Sequence, residues 1–322
     1  MYVTEATCMG EILVDIIPLE PGGYKDGAIF EVHFGGAPAN VAVGIARLNH
    51  RSAFIGSIGD DPFGDMLKDF LVKNGVDTRW LVRKKARTSL AFVMLHENGE
   101  RDFFFYREPW VKTADTMLKI DDIDLDDVLK TKVIHISGVA TAYPSLNETI
   151  YEVMKEAYRS GVFVSIDPNY RADIWGSGEL ALKTMNKYFR VSHMITMGKD
   201  ELLNMFGIED HKYLARMIFD QYPNIEIVAL RLGALGAYVA KRNDEEIYVP
   251  AYKITPVDTT GAGDVWTATF IVMHILEGMK LEKSIKYANA AAAIKCTRRG
   301  AVTAFPRRDE IENFIKQYES CC

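Results

Sequence analysis

The sequence predicts an α/β protein built on a mostly parallel sheet that helices cover on both faces. In the second half of the chain, short apolar runs alternate with helix-length amphipathic segments. Unbroken apolar strands are typical of parallel sheets, whose crossover helices bury both faces. A hairpin pattern over residues 88–107, with no helix between its strands, indicates a small antiparallel sheet inserted into this alternation.

The N-terminal strand is the first element of the predicted sheet. Residues 2–9 read as a buried strand, and we expect it to continue to residue 15, with Glu11 and Asp15 as the only charges of the extension. The other elements predicted in this part are a half-exposed strand at 29–34, a helix opened by residues 35–40 with Pro38 in its first turn, a strand at 53–58 and a helix at 65–74.

The inserted hairpin has strands at Thr88–Leu95 and Arg101–Arg107 and a turn at Asn98-Gly99. It is rich in aromatic residues, namely Phe92, Phe103, Phe104, Phe105 and Tyr106. The regular alternation then predicts strands at 133–137, 162–166, 193–197 and 225–232, a strand pair to about 254, and helices at 145–160, 178–189, 200–206, 211–221, after Asp264, at 281–297 and at 307–318.

Composition excludes several classes of function. With 25% charged residues and a net charge of −6, the chain has a globular composition and no positive excess that would attract nucleic acid or an anionic membrane. No apolar run approaches the roughly 20 residues of a membrane span, and the N-terminus lacks the basic segment of a secretory signal. We therefore expect a cytoplasmic protein. The cysteines and histidines show no disulfide or metal-site spacing, and we take no histidine as catalytic.

The segment Val257–Asp264 carries the clearest chemical signal. Two threonines and Gly261-Ala262-Gly263 lead into Asp264, and an apolar helix-length run follows at once. Small residues let the backbone approach a bound group, and the free N–H donors of a helix start attract anions. A carboxylate beside such an anion cradle could take a proton from an alcohol during phosphoryl transfer. Taken alone, the segment is equally compatible with an ordinary N-terminal helix cap.

Polar residues also follow other predicted strands, at Ser137-Gly138, Asp167–Arg171 and Gly233–Gly236. In open parallel sheets, ligands bind outside the carboxyl ends of the strands, so we expect these segments to share one rim with Asp264. Each segment alone is also compatible with a plain turn. The chain contains neither a G-x-x-x-x-G-K-[ST] P-loop nor a G-x-G-x-x-G after its first strand, which argues against a Walker-type NTPase and a dinucleotide oxidoreductase.

Two signatures together resemble those of the ribokinase-like sugar kinases, also called the PfkB family. The run Gly35-Gly36-Ala37-Pro38-Ala39-Asn40-Val41-Ala42 is similar to the N-terminal signature, and Asp258–Asp264 is similar to the C-terminal one. The resemblance covers nearly the whole chain and implies one three-layer α/β/α sandwich over residues 1–322, with a β-sheet lid at about 11–34 and 88–107. Because lids of this family often pair between subunits, a homodimer is expected. An aromatic face packed only on its own core is the alternative.

Within this family the chain looks most like the fructokinases, and the resemblance implies roles for the matched residues. The implied catalytic group comprises Asp264 as the base, the amides of Gly261, Ala262 and Gly263 as the anion hole, and Arg171. The implied sugar contacts are Asp15, Gly35, Gly36, Asn40, Arg107 and Asn169. The implied nucleotide contacts are Arg231, Gly233, Gly236, Asn289 and Gly263. The implied ion sites are Glu201, through water, for Mg²⁺, and Asp258, Thr260, Arg298 and Gly300 for a monovalent cation such as K⁺.

Five residues depart from the family pattern; Asn49 and Thr269 replace small signature residues, and the other three bear on bound ligands. Gly198 stands where the family has an asparagine that helps to place magnesium. Arg231 stands where many members have a threonine, and a basic residue there is also seen in 2-keto-3-deoxygluconate kinases. Lys295 lies where a small residue usually lines the cation site, which puts K⁺ dependence in doubt.

The resulting expectation is a phosphotransferase that uses ATP and Mg²⁺ to phosphorylate a sugar hydroxyl. Fructose is the first choice of acceptor, because the Asp15 carboxylate accepts hydrogen bonds from neutral hydroxyls. The second is 2-keto-3-deoxygluconate, since Arg107 and Arg171 could meet its carboxylate. Ribose or a nucleoside is the third. A non-catalytic sugar or nucleotide sensor on the same fold is the alternative from another class.

Overall fold

The computed structural model describes residues 4–20, 22, 24–95, 101–108 and 110–321. Its strands are β1 (Ala6–Met9), β2 (Leu13–Pro18), β3 (Phe30–Gly35), β4 (Ser52–Gly59), β5 (Leu81–Lys84), β6 (Leu90–Leu95), β7 (Arg101–Tyr106), β8 (Val133–Ser137), β9 (Phe163–Asp167), β10 (Met194–Gly198), β11 (Ile227–Arg231), β12 (Gly236–Lys241) and β13 (Glu246–Pro250). Its α-helices are α1 (Ala37–Arg47), α2 (Pro62–Lys73), α3 (Leu125–Val128), α4 (Pro144–Arg159), α5 (Ala172–Trp175), α6 (Gly178–Phe189), α7 (Lys199–Phe206), α8 (His211–Gln221), α9 (Ala262–Phe270), α10 (Leu281–Cys296) and α11 (Arg308–Cys321).

Nine strands form the main sheet, in the order β13-β12-β11-β10-β9-β8-β1-β4-β5. All pairs from β11 to β5 are parallel, and β12 and β13 add two antiparallel strands at one edge. The predicted mostly parallel sheet is therefore confirmed.

Helices pack on both faces of this sheet, as the alternation of buried side chains along its strands shows. In β11, Ala229 belongs to a core shared with α1, α9 and α10, whereas Val228 and Leu230 belong to a second core shared with α4, α6 and α8. Successive side chains of a strand point to opposite faces, so the two cores lie on opposite sides and make three layers. None of the helices in the described part of the chain combines the length and apolar character that a bilayer crossing requires.

The second sheet has four strands in the order β3-β2-β6-β7, and we call it the lid. The β2–β3 and β6–β7 pairs are antiparallel, and β2–β6 is parallel. One face of the lid carries an aromatic cluster in which the Phe92 and Phe104 rings stack at 5.1 Å beside Tyr106. The two strands of the predicted hairpin are confirmed, and its turn at Asn98-Gly99 lies outside the described residues.

The expected single N-terminal strand through residue 15 is wrong. The strand is interrupted at Gly10, whose φ of 146° is a backbone conformation that favours glycine. Before this residue β1 pairs with β4 and β8 of the main sheet, and after it β2 pairs with β3 and β6 of the lid. The apolar run therefore crosses from one sheet to the other and places Glu11 at the crossing point.

Candidate active site

A cavity of about 890 Å³ lies where the carboxyl ends of the parallel strands face the lid. The sequence-predicted site residues that line it are Asp15, Gly36, Asn40, Arg107, Asn169, Arg171, Glu201, Arg231, Thr260, Gly261, Gly263 and Asp264. We call the residues Gly261-Ala262-Gly263 the glycine loop. The part of the cavity beside Glu11, Asp15 and Phe103 is the lid end, and the part beside Gly263, Arg231 and Glu201 is the glycine-loop end. The structure thus brings together residues from both signatures, which are more than 200 positions apart in the sequence.

Asp264 lies between the two ends, in the first turn of α9. Its Oδ2 accepts a hydrogen bond from Nδ2 of Asn40 at 2.8 Å, which joins the C-terminal signature to α1 of the N-terminal one. Burial raises the pKa of Asp264 to about 6, while the Asn40 hydrogen bond and the nearby guanidinium groups of Arg231 and Arg171 work in the opposite direction. The carboxyl group is therefore mostly ionised at pH 7 and can still accept a proton.

Gly35 and Gly36 leave room at the lid end. A Cβ atom on Gly35 would lie 2.6 Å from Oδ2 of Asp15, so only glycine lets β3 pass this carboxyl group. Gly36 has a φ of 108°, and a Cβ there would lie 2.6 Å from the carbonyl oxygen of Glu11. Burial first, and the neighbouring Asp264 second, raise the pKa of Asp15 to about 7.

Glu11 is a cavity residue that the sequence reasoning did not select. Its Oε1 accepts hydrogen bonds from the Ala37 amide at 3.2 Å and from the Ser137 hydroxyl at 3.0 Å. The Ser137 oxygen in turn accepts a bond from Nδ2 of Asn169 at 3.1 Å. Glu11 therefore connects the start of α1 to the rim residue Asn169. A charged residue inside an otherwise apolar run was the only signal for it in the sequence.

Arg231 places a fixed cation at the glycine-loop end. Its Nη1 lies 2.6 Å from Oδ2 of Asp167 and also donates to the hydroxyl groups of Thr196 and Thr267. A Cβ built on Gly263 would lie 3.3 Å from the guanidinium carbon, so the guanidinium lies directly against the glycine loop. A fixed cation beside backbone amides at a helix start is suited to the oxygens of a phosphate group. Gly261 and Gly263 line the cavity, whereas the predicted Ala262 is not among its described lining residues and its amide donates to the Thr259 carbonyl at 3.1 Å.

Glu201, at the start of α7, lines the same end. Its Oε1 accepts a bond from the Tyr170 amide at 2.9 Å, and its Oε2 accepts one from the Gly198 amide. Burial, followed by the proximity of Asp167, raises its pKa to about 7. Among the described residues, no three His, Cys, Asp or Glu side chains are grouped so that they could hold a metal ion by themselves.

The side chains of two predicted arginines, Arg107 and Arg171, differ in burial and in the contacts that hold them. Arg107 lines the cavity, but it is only 1% exposed, its Nη2 lies 2.6 Å from Oδ2 of Asp115, and its guanidinium covers the ring of Tyr143. Arg171 is exposed at the cavity wall, where its described hydrogen bond is to the carbonyl oxygen of Tyr170. Arg171 can therefore turn toward a bound anion more easily than Arg107 can.

The residues predicted for the adenosine pocket, Gly233, Gly236 and Asn289, lie outside the described lining of the 890 Å³ cavity. The Asn289 side chain is buried. Its Oδ1 accepts a bond from Nε1 of Trp266, and its Nδ2 donates to the carbonyl oxygens of Val249 and Pro250. A role of Asn289 toward a nucleotide stays a prediction, because the described contacts give its amide a function in packing β13 against α9 and α10.

The residues predicted for a monovalent cation are close together except for one side chain. The Asp258 carboxylate accepts bonds from the amides of Thr260 and Gly300, whereas the guanidinium of Arg298 lies at the surface beside Glu310. The ammonium group of Lys295 donates to the main-chain carbonyl of Asp258. It thus lies where the predicted cation would be bound.

Several known proteins resemble this chain over nearly its whole length. A family model described as pfkB family carbohydrate kinase matches residues 3–308. "Probable fructokinase-7" of Arabidopsis thaliana is 34% identical, over 98% of this chain and 94% of its own length. A "putative Ribokinase II" from E. coli, solved with ATP and Mg²⁺, has a TM-score of 0.88 and 26% identity over 98% of this chain and 100% of that one. A fructokinase double mutant from Vibrio cholerae O395, solved with fructose, ADP and potassium ion, has a TM-score of 0.85 and 30% identity over 97% of this chain and 98% of that one.

Proposed function

The chain belongs to the pfkB family of carbohydrate kinases, and on this premise we propose that it transfers the γ-phosphoryl group of ATP to the 6-hydroxyl of fructose. The observation that supports this most directly is the position of Asp264. Its carboxyl group lies at the start of α9, beside the glycine amides on one side and Asp15 and Asn40 on the other. A hydroxyl held at the lid end can therefore face both a base and an anion-binding loop.

The proposed reaction begins with deprotonation of the acceptor. Asp264 takes the proton of the attacking hydroxyl as its oxygen bonds to the γ-phosphorus and the bond to the leaving ADP oxygen breaks. Its pKa of about 6 leaves it ionised at neutral pH yet closer to that pH than an exposed aspartate. The Asn40 amide fixes the carboxyl group through Oδ2 and leaves Oδ1 to face the hydroxyl.

The charge that develops on the transferring group is offset by the chain's own donors. The amides of Gly261, Ala262 and Gly263 lie at the positive end of α9, and Arg231 and Arg171 add guanidinium groups at the cavity wall. Gly233, Gly236 and Asn289 are proposed to flank the adenosine, as the family resemblance implies.

Mg²⁺ fits the glycine-loop end as an ion held mainly by phosphates and water. Both oxygens of Glu201 already accept bonds from backbone amides, so this carboxylate is suited to orient water rather than to coordinate the ion alone. When bound, Mg²⁺ neutralises phosphate charge. Asp200, which also lines the cavity, is a second acidic residue at this end.

The acidic lid end supports fructose over a sugar acid. Glu11 and Asp15 contribute carboxyl groups, and the nearby cation Arg107 is already paired with Asp115. Arg171 is the freer cation of the cavity wall, and in the proposed reaction it meets the transferring phosphoryl group. A neutral polyol can donate hydroxyl hydrogens to these groups, whereas the carboxylate of 2-keto-3-deoxygluconate would meet like charge. Ribose and nucleosides rank after both acceptors, because the chain resembles fructokinases most.

The acceptor is tested by measuring ADP production with fructose, 2-keto-3-deoxygluconate, ribose and adenosine. We expect the highest kcat/KM with fructose, and Asp264→Asn as a control should abolish the signal. A clear preference for the sugar acid would contradict the choice of fructose but not the kinase reaction. Absence of ADP with every acceptor would contradict both and favour a sensor.

We also propose that two copies pair through the lid. The aromatic cluster of Phe92, Phe104 and Tyr106 faces away from the cavity residues Phe103 and Phe105, and Val32 on β3 is 47% exposed. Apolar groups exposed on one sheet face favour association. Sedimentation equilibrium should give a dimer for the intact chain and a monomer for Tyr106→Glu. A monomeric wild type would contradict this proposal.

A further inference from the structure

Lys295 and Asp258 form a buried ion pair beneath the glycine loop. The Lys295 side chain is fully buried, and Asp258 is 4% exposed. The Lys295 Nζ donates to the main-chain carbonyl of Asp258 and lies 3.4 Å from Oδ1 of its carboxylate. An ammonium group has three donors and no acceptor, so it is matched by carbonyl and carboxylate oxygens of this kind.

Asp258 connects this lysine to the loop that precedes α9. Its Oδ1 accepts a bond from the Thr260 amide at 2.8 Å, and its Oδ2 accepts one from the Gly300 amide at 2.9 Å. The amides of Val257 and Asp258 in turn donate to the carbonyl of Cys296, next to Lys295 at the end of α10. The segment that leads into the glycine loop is thus fixed to α10 by the two backbone bonds to Cys296 and by the Lys295 ammonium, which supplies the positive charge.

A bound potassium ion would use the same groups. Such an ion is coordinated by carbonyl and carboxylate oxygens that replace its water shell. Here the Asp258 carbonyl is already taken by Lys295, and a second cation against the same oxygens would face a fixed positive charge. The residues of this chain therefore do not fit a potassium ion at this position.

We propose that the Lys295 ammonium is a built-in substitute for a monovalent cation, which positions the glycine loop for nucleotide phosphates and makes this protein independent of K⁺. Lys295 acts through Asp258 and does not touch the reacting atoms, so it is a positioning residue. The kinetic consequence rests on the proposed kinase function. The consequences for ADP affinity and thermal stability do not depend on it.

The wild-type protein provides the first test. We expect the Kd for ADP and the Tm to be the same in KCl and in choline chloride at equal ionic strength, because the Lys295 ammonium already occupies the cation position. A Kd that falls markedly in KCl would overturn the proposal without any variant. If no sugar is phosphorylated, the proposed function fails, and these two measurements still decide the role of Lys295.

The second test uses Lys295→Ala, which removes the charge and opens space beside Asp258. In choline chloride we expect the affinity for ADP to fall by about tenfold, comparable to the loss of one charged hydrogen bond. In KCl we expect most of this affinity and of the lost Tm to return, because K⁺ can enter the vacated space. Lys295→Arg, which keeps the charge, should need no added K⁺.

The matched control is Lys286→Ala, on the same helix. Lys286 is 43% exposed and pairs with Glu282 one turn away, so its removal should change neither ADP affinity nor the response to K⁺. A Lys295→Ala protein that binds ADP as tightly as the wild type in choline chloride would contradict the positioning role. A loss that KCl and choline chloride leave equal would show a purely structural lysine and would overturn the proposed substitution.

Discussion

At the lid end of the cavity, Glu11 and Asp15 form no ion pair within the described residues, whereas at the glycine-loop end Asp167 is paired with Arg231 at 2.6 Å. Burial raises the pKa values of Glu11 and Asp15 to about 7. Carboxyl groups without a cationic partner are suited to bind neutral hydroxyls, which can donate hydrogen bonds to them. The paired end keeps a fixed guanidinium beside the glycine amides and suits anionic phosphates.

Asp264 lies at the boundary between these two environments. It accepts a hydrogen bond from Asn40 on the lid side, and the positive charges of Arg231 and Arg171 on the other side lower its pKa. In the proposed reaction, the contrast between the two ends separates binding of the acceptor from binding of the phosphates, and it leaves the boundary residue for proton transfer.

The largest effect should come from Asp264→Asn. An amide cannot accept the proton of the attacking hydroxyl, so we expect kcat to fall by at least about a hundredfold, the usual contribution of a general base. Affinity for ADP and Tm should change little, because the asparagine side chain has nearly the same shape as that of aspartate. The exposed Asp173→Asn on α5 is the control for a surface aspartate. Near-normal turnover in the Asp264→Asn protein would remove this residue from the role of base.

Smaller effects, on the KM values for sugar and for ATP, should distinguish the functions of the two ends of the cavity. Asp15→Asn replaces a charged acceptor at the lid end, so we expect the KM for the sugar to rise by about tenfold and the KM for ATP to stay constant. Arg231→Lys keeps the charge but loses the planar guanidinium that lies against Gly263, and it should raise the KM for ATP instead. If both variants raised the same KM, the division of the cavity into two ends would be wrong.

The contrast also shows what the sequence could predict. The glycine-loop end follows from a local signature, because Gly261, Gly263 and Asp264 are neighbours in the chain and are placed by one helix start. The main sheet was predictable for a similar reason, since strands with apolar side chains on both faces alternate with helices along the chain.

The lid end follows only partly from a local pattern, because Gly35 and Gly36 belong to the N-terminal signature but the contacts of Glu11 do not. The Glu11 carboxylate reaches Asn169 through Ser137, and these three residues are more than 150 positions apart from first to last. The break of the first strand at Gly10 could not be predicted either, since an apolar run reads the same whether its strand stays in one sheet or enters another. Likewise, the sequence places Lys295 near the cation site but does not show that its ammonium group binds the Asp258 carbonyl.

The smallest predicted effect concerns the pH at which Asp264 becomes active. As the base, it must be ionised, so kcat at saturating sugar and ATP should rise with pH and level off above the pKa of about 6. The quantity kcat/KM also depends on Asp15, whose pKa is about 7. The Asn40 hydrogen bond stabilises the ionised form and lowers this pKa, whereas burial and Asp167 raise it. Asn40→Ala should therefore move the acid limb of the pH profile upward, by roughly half to one pH unit for the loss of one hydrogen bond.

The matched control for this shift is Asn169→Ala. Asn169 also lines the cavity, but its amide donates to Ser137 and not to Asp264, so its removal should leave the acid limb in place. Both variants will raise the KM for the sugar if both asparagines bind it, and the position of the limb is therefore the measurement that distinguishes them. If the acid limb of Asn40→Ala stays at its wild-type pH, a group other than Asp264 sets the acid limit. The amide that donates to the Asp264 carboxylate would then have no influence on the proton that catalysis requires.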